Sequence, residues 1–117
     1  MDPIGEQLAG WGKVVRVGTR GRTSGRPLDV ALGYVEEPDG SLVVAAGSPD
    51  ADWARNLDAD ARCTVRLGET SWPAAIAERL DDAETQRTVR ELILKYGTPA
   101  ERLGRGPAYR LRRVVPA

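Results

Sequence analysis

Apolar positions recur along this chain with two periods, and the periods separate strands from helices. Residues 13–19 alternate and are rich in valine. In residues 28–34, Leu28, Val30, Leu32 and Tyr34 share one face, with Asp29, Ala31 and Gly33 on the other. Gly33 leaves room there for a close approach to the backbone. Residues 42–46 are apolar throughout, the pattern of a strand buried on both sides. Alternation returns in 61–67, with Cys63, Val65 and Leu67 inward and Arg62, Thr64 and Arg66 outward. A fifth strand is expected over 71–80, where Pro73 signals an edge or a bulge, and a sixth over 108–115, with Tyr109 and Leu111 inward.

The helical period is clear once. Asp81-Asp82-Ala83-Glu84 reads as a capping box, Val89, Leu92, Ile93 and Tyr96 form the apolar face, and Gly97 is the stop. A shorter helix is expected over 52–57, after Gly47-Ser48-Pro49-Asp50, with Ser48 as its cap. Residues 36–40 have hairpin-turn chemistry, and 98–104 suggest one further turn. Ile4, Leu8 and Trp11 have helical spacing, but Gly5, Gly10 and Gly12 reduce residues 1–12 to a short turn or a frayed end. Six short strands with hairpin turns and a late helix predict one domain over 1–117, a small and mostly antiparallel barrel.

Composition narrows the chemistry. Formal net charge is zero, so no nucleic-acid partner is expected. No apolar run reaches the length of a membrane span, and no signal peptide opens the chain, so a cytoplasmic protein without integral membrane association is expected. There is no histidine and a single cysteine, which excludes histidine-based triads and a His/Cys zinc site. Cys63, in a strand-like run, reads as a small core residue. Without histidine the chain has few general acids or bases near neutral pH. If it is an enzyme, a cofactor carries the difficult step.

The positive charge is local. From Lys13 to Arg26 there are five basic residues and no acid. Within that run Gly21-Arg22-Thr23-Ser24-Gly25-Arg26-Pro27 links the first two strands. Glycines there let successive N–H groups face one side, and arginine adds a fork that matches phosphate oxygens. The run lacks the Gly-Lys-Ser/Thr end of a Walker loop and the spacing of a dinucleotide fingerprint. It predicts a grip on a small anionic ligand; a solvated surface turn is the alternative.

That loop, a hairpin and buried strand after it, and then Trp53-Ala54-Arg55-Asn56-Leu57 resemble the deazaflavin-dependent nitroreductase family. Its members are split β-barrel oxidoreductases related to flavin-binding pyridoxamine-phosphate oxidases. The likeness covers roughly residues 13–80 and the last strand. It implies a mainly β (α+β) split barrel of six strands, a short helix after the third and a longer one before the last. It also implies coenzyme F420, an 8-hydroxy-5-deazaflavin whose side chain carries a phosphodiester and a glutamate tail. By the resemblance, Arg22, Thr23, Ser24 and Gly25 meet the phosphate, with Arg20 and Arg26 near the tail. Ala31, Leu32, Ala46, Gly47 and Ser48 border the ring. Trp53 and Asn56 flank it, or instead anchor the core and tie the loop.

Where many relatives have Ser-Lys-Gly-Gly, this chain has Gly47-Ser48-Pro49-Asp50, which removes one positive contact. The aromatic that often follows the tryptophan is Ala54 here, and the tail is poor in aromatics, so nitroimidazole reduction is not expected. Three readings follow: an F420-dependent reductase of an enone, quinone or similar small molecule; an FMN-binding oxidoreductase of the same fold; or a non-catalytic ligand carrier. Tyr34, Ser48 and Tyr109 are the candidate proton donors, and a homodimer is expected.

Overall fold

A computed structural model describes residues 14–97 and 105–115, and the described residues form seven strands and two helices. They follow the order β1 (Val15–Arg20), β2 (Pro27–Leu32), β3 (Val35–Glu36), β4 (Leu42–Ala45), α1 (Asp52–Ala59), β5 (Arg62–Leu67), β6 (Thr70–Arg79), α2 (Asp82–Tyr96) and β7 (Ala108–Arg113). The expectations for 1–12 and 98–104 lie outside the described residues.

All neighbouring strands are antiparallel, in the sheet order β2-β1-β5-β6-β7-β4-β3. Its two ends, β2 and β3, are consecutive in the chain and separated only by Gly33 and Tyr34. Three peptide steps span at most about 10 Å. The sheet therefore curls until its edges come close, as a split barrel does.

The second strand expected over 28–34 thus ends at Leu32, a short further strand forms at Val35–Glu36, and seven replace six. The ring of Tyr96 fills the space at Gly33, where an added Cβ would lie 3.1 Å from it. The Tyr34 N–H donates to the Tyr96 hydroxyl at 3.1 Å, a side-chain partner that interrupts the ladder. Pro73 marks a bulge, since the β5–β6 register shifts between Cys63 and Val65. The edge alternative fails, because β6 lies between β5 and β7.

Two apolar clusters explain the strand patterns. Val15, Val17, Leu42, Val44, Cys63, Val65, Tyr109 and Leu111 fill the barrel, and Ala54 and Leu57 of α1 join them. On the outer wall Val43, Ala45, Leu80 and Ala108 pack under Leu92 of α2, flanked by Val89, Ile93 and Tyr96. The all-apolar run 42–46 is accounted for: alternate residues enter the barrel or lie beneath α2. Helix α2 begins as its capping box predicts, with the Asp81 carboxylate accepting from the Glu84 N–H at 2.8 Å, and stops at Gly97, whose φ is 86°.

Burial pushes the Cys63 thiol up from its ordinary 9.0 to about 11. Between about pH 9 and 11 the unfolded chain therefore sheds a proton that the folded chain retains. Stability is expected to fall there as pH rises, by about 1.4 kcal/mol per pH unit. Urea unfolding across this range should show the slope, and Cys63→Ala should flatten it.

Candidate functional site

The β1–β2 connection is a compact knuckle. Gly21 N–H donates to Arg26 O at 2.8 Å, and Gly25 N–H to Gly21 O at 2.8 Å. Ser24 Oγ accepts from Arg26 N–H at 3.2 Å. Gly25 has φ 70°, the left-handed region that favours glycine. Gly21 is buried, and a Cβ there would lie 2.6 Å from Ser24 Oγ. With Arg22 N–H bonded to Asn56, four of the six amides in 21–26 serve the fold. The expected concave row of amides is thus largely spent on closing the loop. Only the Thr23 and Ser24 amides have no bond among the described residues. Anion recognition accordingly falls mainly to side chains, and those of Arg20, Arg22, Thr23, Ser24 and Arg26 belong to exposed residues.

Asn56 joins this loop to α1. It is 1% exposed, and its Oδ1 accepts from Arg22 Nη1 at 2.8 Å and from Arg22 N–H at 3.2 Å. Its Nδ2 donates to Thr19 Oγ1 at 3.2 Å. Arg22 Nη2 completes the dock on the Asp52 carboxylate at 3.3 Å. The two sequence motifs are therefore one structural unit: a buried amide on the helix holds the central arginine of the loop. Sequence reading missed Asp52 and Thr19. An arginine two residues past a strand end gives no clue to which acid it meets thirty residues on.

Trp53 is half-buried against the core, edge-on to Tyr109 with ring centroids 5.6 Å apart. The Tyr109 hydroxyl donates to Asp58 Oδ1 at 2.8 Å, with the Ala54 carbonyl at 3.1 Å. Burial, and then the bond to Asp58, push its ionisation well above the ordinary tyrosine value. Ser48 does not cap α1, whose N-cap is Ala51. Its Oγ accepts from Asp50 N–H at 3.1 Å and so closes the turn before the helix. Tyr34 packs on the barrel core, and Lys95 Nζ stands 3.5 Å from its ring centroid.

Ala31 and Leu32 are consecutive in β2 and so face opposite sides. Leu32 packs with the core, and Ala31 pairs across the strand with Arg16. One flat ligand can meet the side chain of only one of them. Ala46 N–H donates to Pro107 O at 2.8 Å, and Gly106 lies against the same segment. A Cβ at Gly106 would come within 2.6 Å of Ser48 O, so glycine there holds Ala46, Gly47 and Ser48 in place. Outside the barrel a cleft of about 500 Å³ crosses β1, β5 and β6 over Gly18 and Thr64, with Arg20 on its rim.

The donor set suits an anion: exposed guanidinium groups on a rigid turn, one of them braced from behind. The sequence profile of F420H2-dependent quinone reductases matches residues 2–105. The chain belongs to that family. This F420H2-dependent oxidoreductase also shares its fold with solved structures. One, titled an F420-H2 dependent reductase (FDR-A), is 23% identical with a TM-score of 0.71, over 86% of this chain and 94% of that one. A domain-swapped dimer is 23% identical, TM-score 0.71, over 92% of each chain. The haem storage protein HutZ from Vibrio cholerae is 17% identical, TM-score 0.71, over 98% of this chain and 91% of that one. No curated protein matches the sequence.

Proposed function

We propose that this reductase holds F420H2 by its phosphodiester at residues 20–26 and reduces a quinone or a comparably electron-poor acceptor. The observation that carries the reading is the bracing of Arg22 by buried Asn56, between exposed Arg20 and Arg26. Bound F420H2 supplies the hydride. The residues of this chain supply grip and placement. Arg22, Thr23 and Ser24 meet the phosphodiester, on the turn that Gly25 closes through its N–H bond to Gly21 O, and Arg20 and Arg26 meet the acidic tail. Ala31 or Leu32, with Ala46, Gly47 and Ser48, borders the ring; Trp53 and Asn56 support it from α1.

Three hydroxyls are candidates for protonating the product, and Tyr109 suits the task least, since it is 1% exposed and its hydroxyl already donates to Asp58. Tyr109→Phe is expected to cost about 1 kcal/mol of stability in urea unfolding. It should leave turnover within about twofold, a change too small for loss of a general acid. Tyr34 and Ser48 then remain, with water. The reading includes a homodimer, in keeping with the domain-swapped neighbour. It also includes a cytosolic setting: no helix among the described residues is long and apolar enough to cross a membrane, and buried Cys63 is a free thiol. A haem-carrying role like that of HutZ has less support, because the chain has no histidine, a common axial ligand.

Anaerobic mixing of the protein and F420H2 with a quinone tests the function. Oxidation of F420H2 that needs both protein and quinone supports it. Binding without oxidation would make the chain a carrier.

A further inference from the structure

We propose that Asp52 is an internal competitor for the anion-binding face of Arg22 and sets the affinity of the loop for its ligand. This rests on the reading of residues 20–26 as the phosphodiester grip.

The guanidinium of Arg22 has two differently held sides. Nη1 donates to Asn56 Oδ1 at 2.8 Å, and that amide is buried, neutral and tied to Thr19. This side is an anchor. Nη2 donates to Asp52 Oδ1 at 3.3 Å, and Nη1 also reaches the Asp52 carbonyl at 3.5 Å. The Asp52 side chain is 83% exposed, so water can replace this contact at little cost. Asp52 opens α1, where the helix N-terminus favours a carboxylate whether or not Arg22 is present. It is therefore an anion on a hinge: close enough to occupy the fork, and stable when turned away.

A phosphodiester that takes the Nη2 side of Arg22 meets the Asp52 carboxylate there. Two anions brought this close to one another repel even in water. The carboxylate must turn aside as the ligand arrives, and part of the binding energy goes into breaking the pair. Arg26 and Arg20 make no ion pair within 4 Å among the described residues, and the Asp60 carboxylate feels Arg20 only at longer range, so direct contact with an acid falls on the central arginine.

Fluorescence titration of the full chain with F420 tests this. Asp52→Asn is expected to bind about two- to fivefold more tightly. Asp52→Ser should do the same, and the melting temperature of both should fall only slightly, through loss of the carboxylate at the helix N-terminus. The gain should vanish in an Arg22→Met background, and for a deazaflavin with a bare ribityl chain that lacks the phosphodiester. Unchanged or weaker binding in Asp52→Asn overturns the proposal, as does an equal gain with Arg22→Met. Should removal of Arg20 and Arg26 weaken F420 binding while Asp52→Asn does nothing, the grip stands and only the competitor falls. Should neither change matter, both fall.

Discussion

Asn56→Ala is expected to lower stability by about 2–4 kcal/mol and to weaken F420 binding about tenfold. The side chain is 1% exposed and holds three partners: the Arg22 N–H, the Arg22 guanidinium and the Thr19 hydroxyl. Alanine removes all three bonds, and the space it leaves is buried. An orphaned buried polar group costs about 1–3 kcal/mol, and charged donors cost more. The affinity loss has a separate origin, since Arg22 then swings on its own flexible stem. Asn56→Asp is the informative companion. Its carboxylate still accepts from Arg22, and the Thr19 hydroxyl can rotate to donate to it, so it should keep most of the affinity. Urea unfolding reads the first effect and F420 titration the second. A change in stability below about 0.5 kcal/mol would mean that the buried amide is not the tie between loop and helix.

Removing both flanking cations, Arg20→Ala with Arg26→Ala, is expected to weaken F420 binding about a hundredfold or more. Each charge-assisted bond contributes about 1.5–3 kcal/mol, and tenfold in affinity corresponds to about 1.4 kcal/mol. Both residues are exposed, so the fold should tolerate their loss and the melting temperature should hardly move. The effect should shrink at high salt, because screening weakens exposed charge pairs. Affinity that ignores the double substitution would place the acidic part of the cofactor elsewhere.

What the sequence revealed follows from how local each signal is. Helix α2 was legible because its cap, apolar face and terminal glycine lie within seventeen residues, and each acts on its near neighbours. The all-apolar run through β4 could be read as doubly buried without knowing that α2 provides the second cover. Pro73 announced a bulge, though its place in the middle of the sheet needed the pairing of β6 with both neighbours. The break between β2 and β3 was not legible, since it depends on Tyr96 arriving from sixty-two residues away to take the Tyr34 N–H. Gly33 signalled only that something would come close.

The candidate site divides the same way. The basic loop and the tryptophan–asparagine helix were each visible as motifs, yet nothing in their spacing said that Asn56 grips Arg22. The loop's amides were expected to face a ligand, whereas four of them close the turn or bond the helix. Short loops leave few donors spare. Ser48 read as a helix cap because serine before proline often is one. The N-cap is Ala51, three residues later, and the hydroxyl stabilises the preceding turn.

A crystal structure of the protein grown with F420 is the most direct test of the central claim. The account predicts the phosphodiester within hydrogen-bonding distance of the Arg22 guanidinium, the acidic tail beside Arg20 and Arg26, and Asp52 turned away. A phosphodiester bound elsewhere on the barrel, with residues 20–26 facing only solvent, would contradict it.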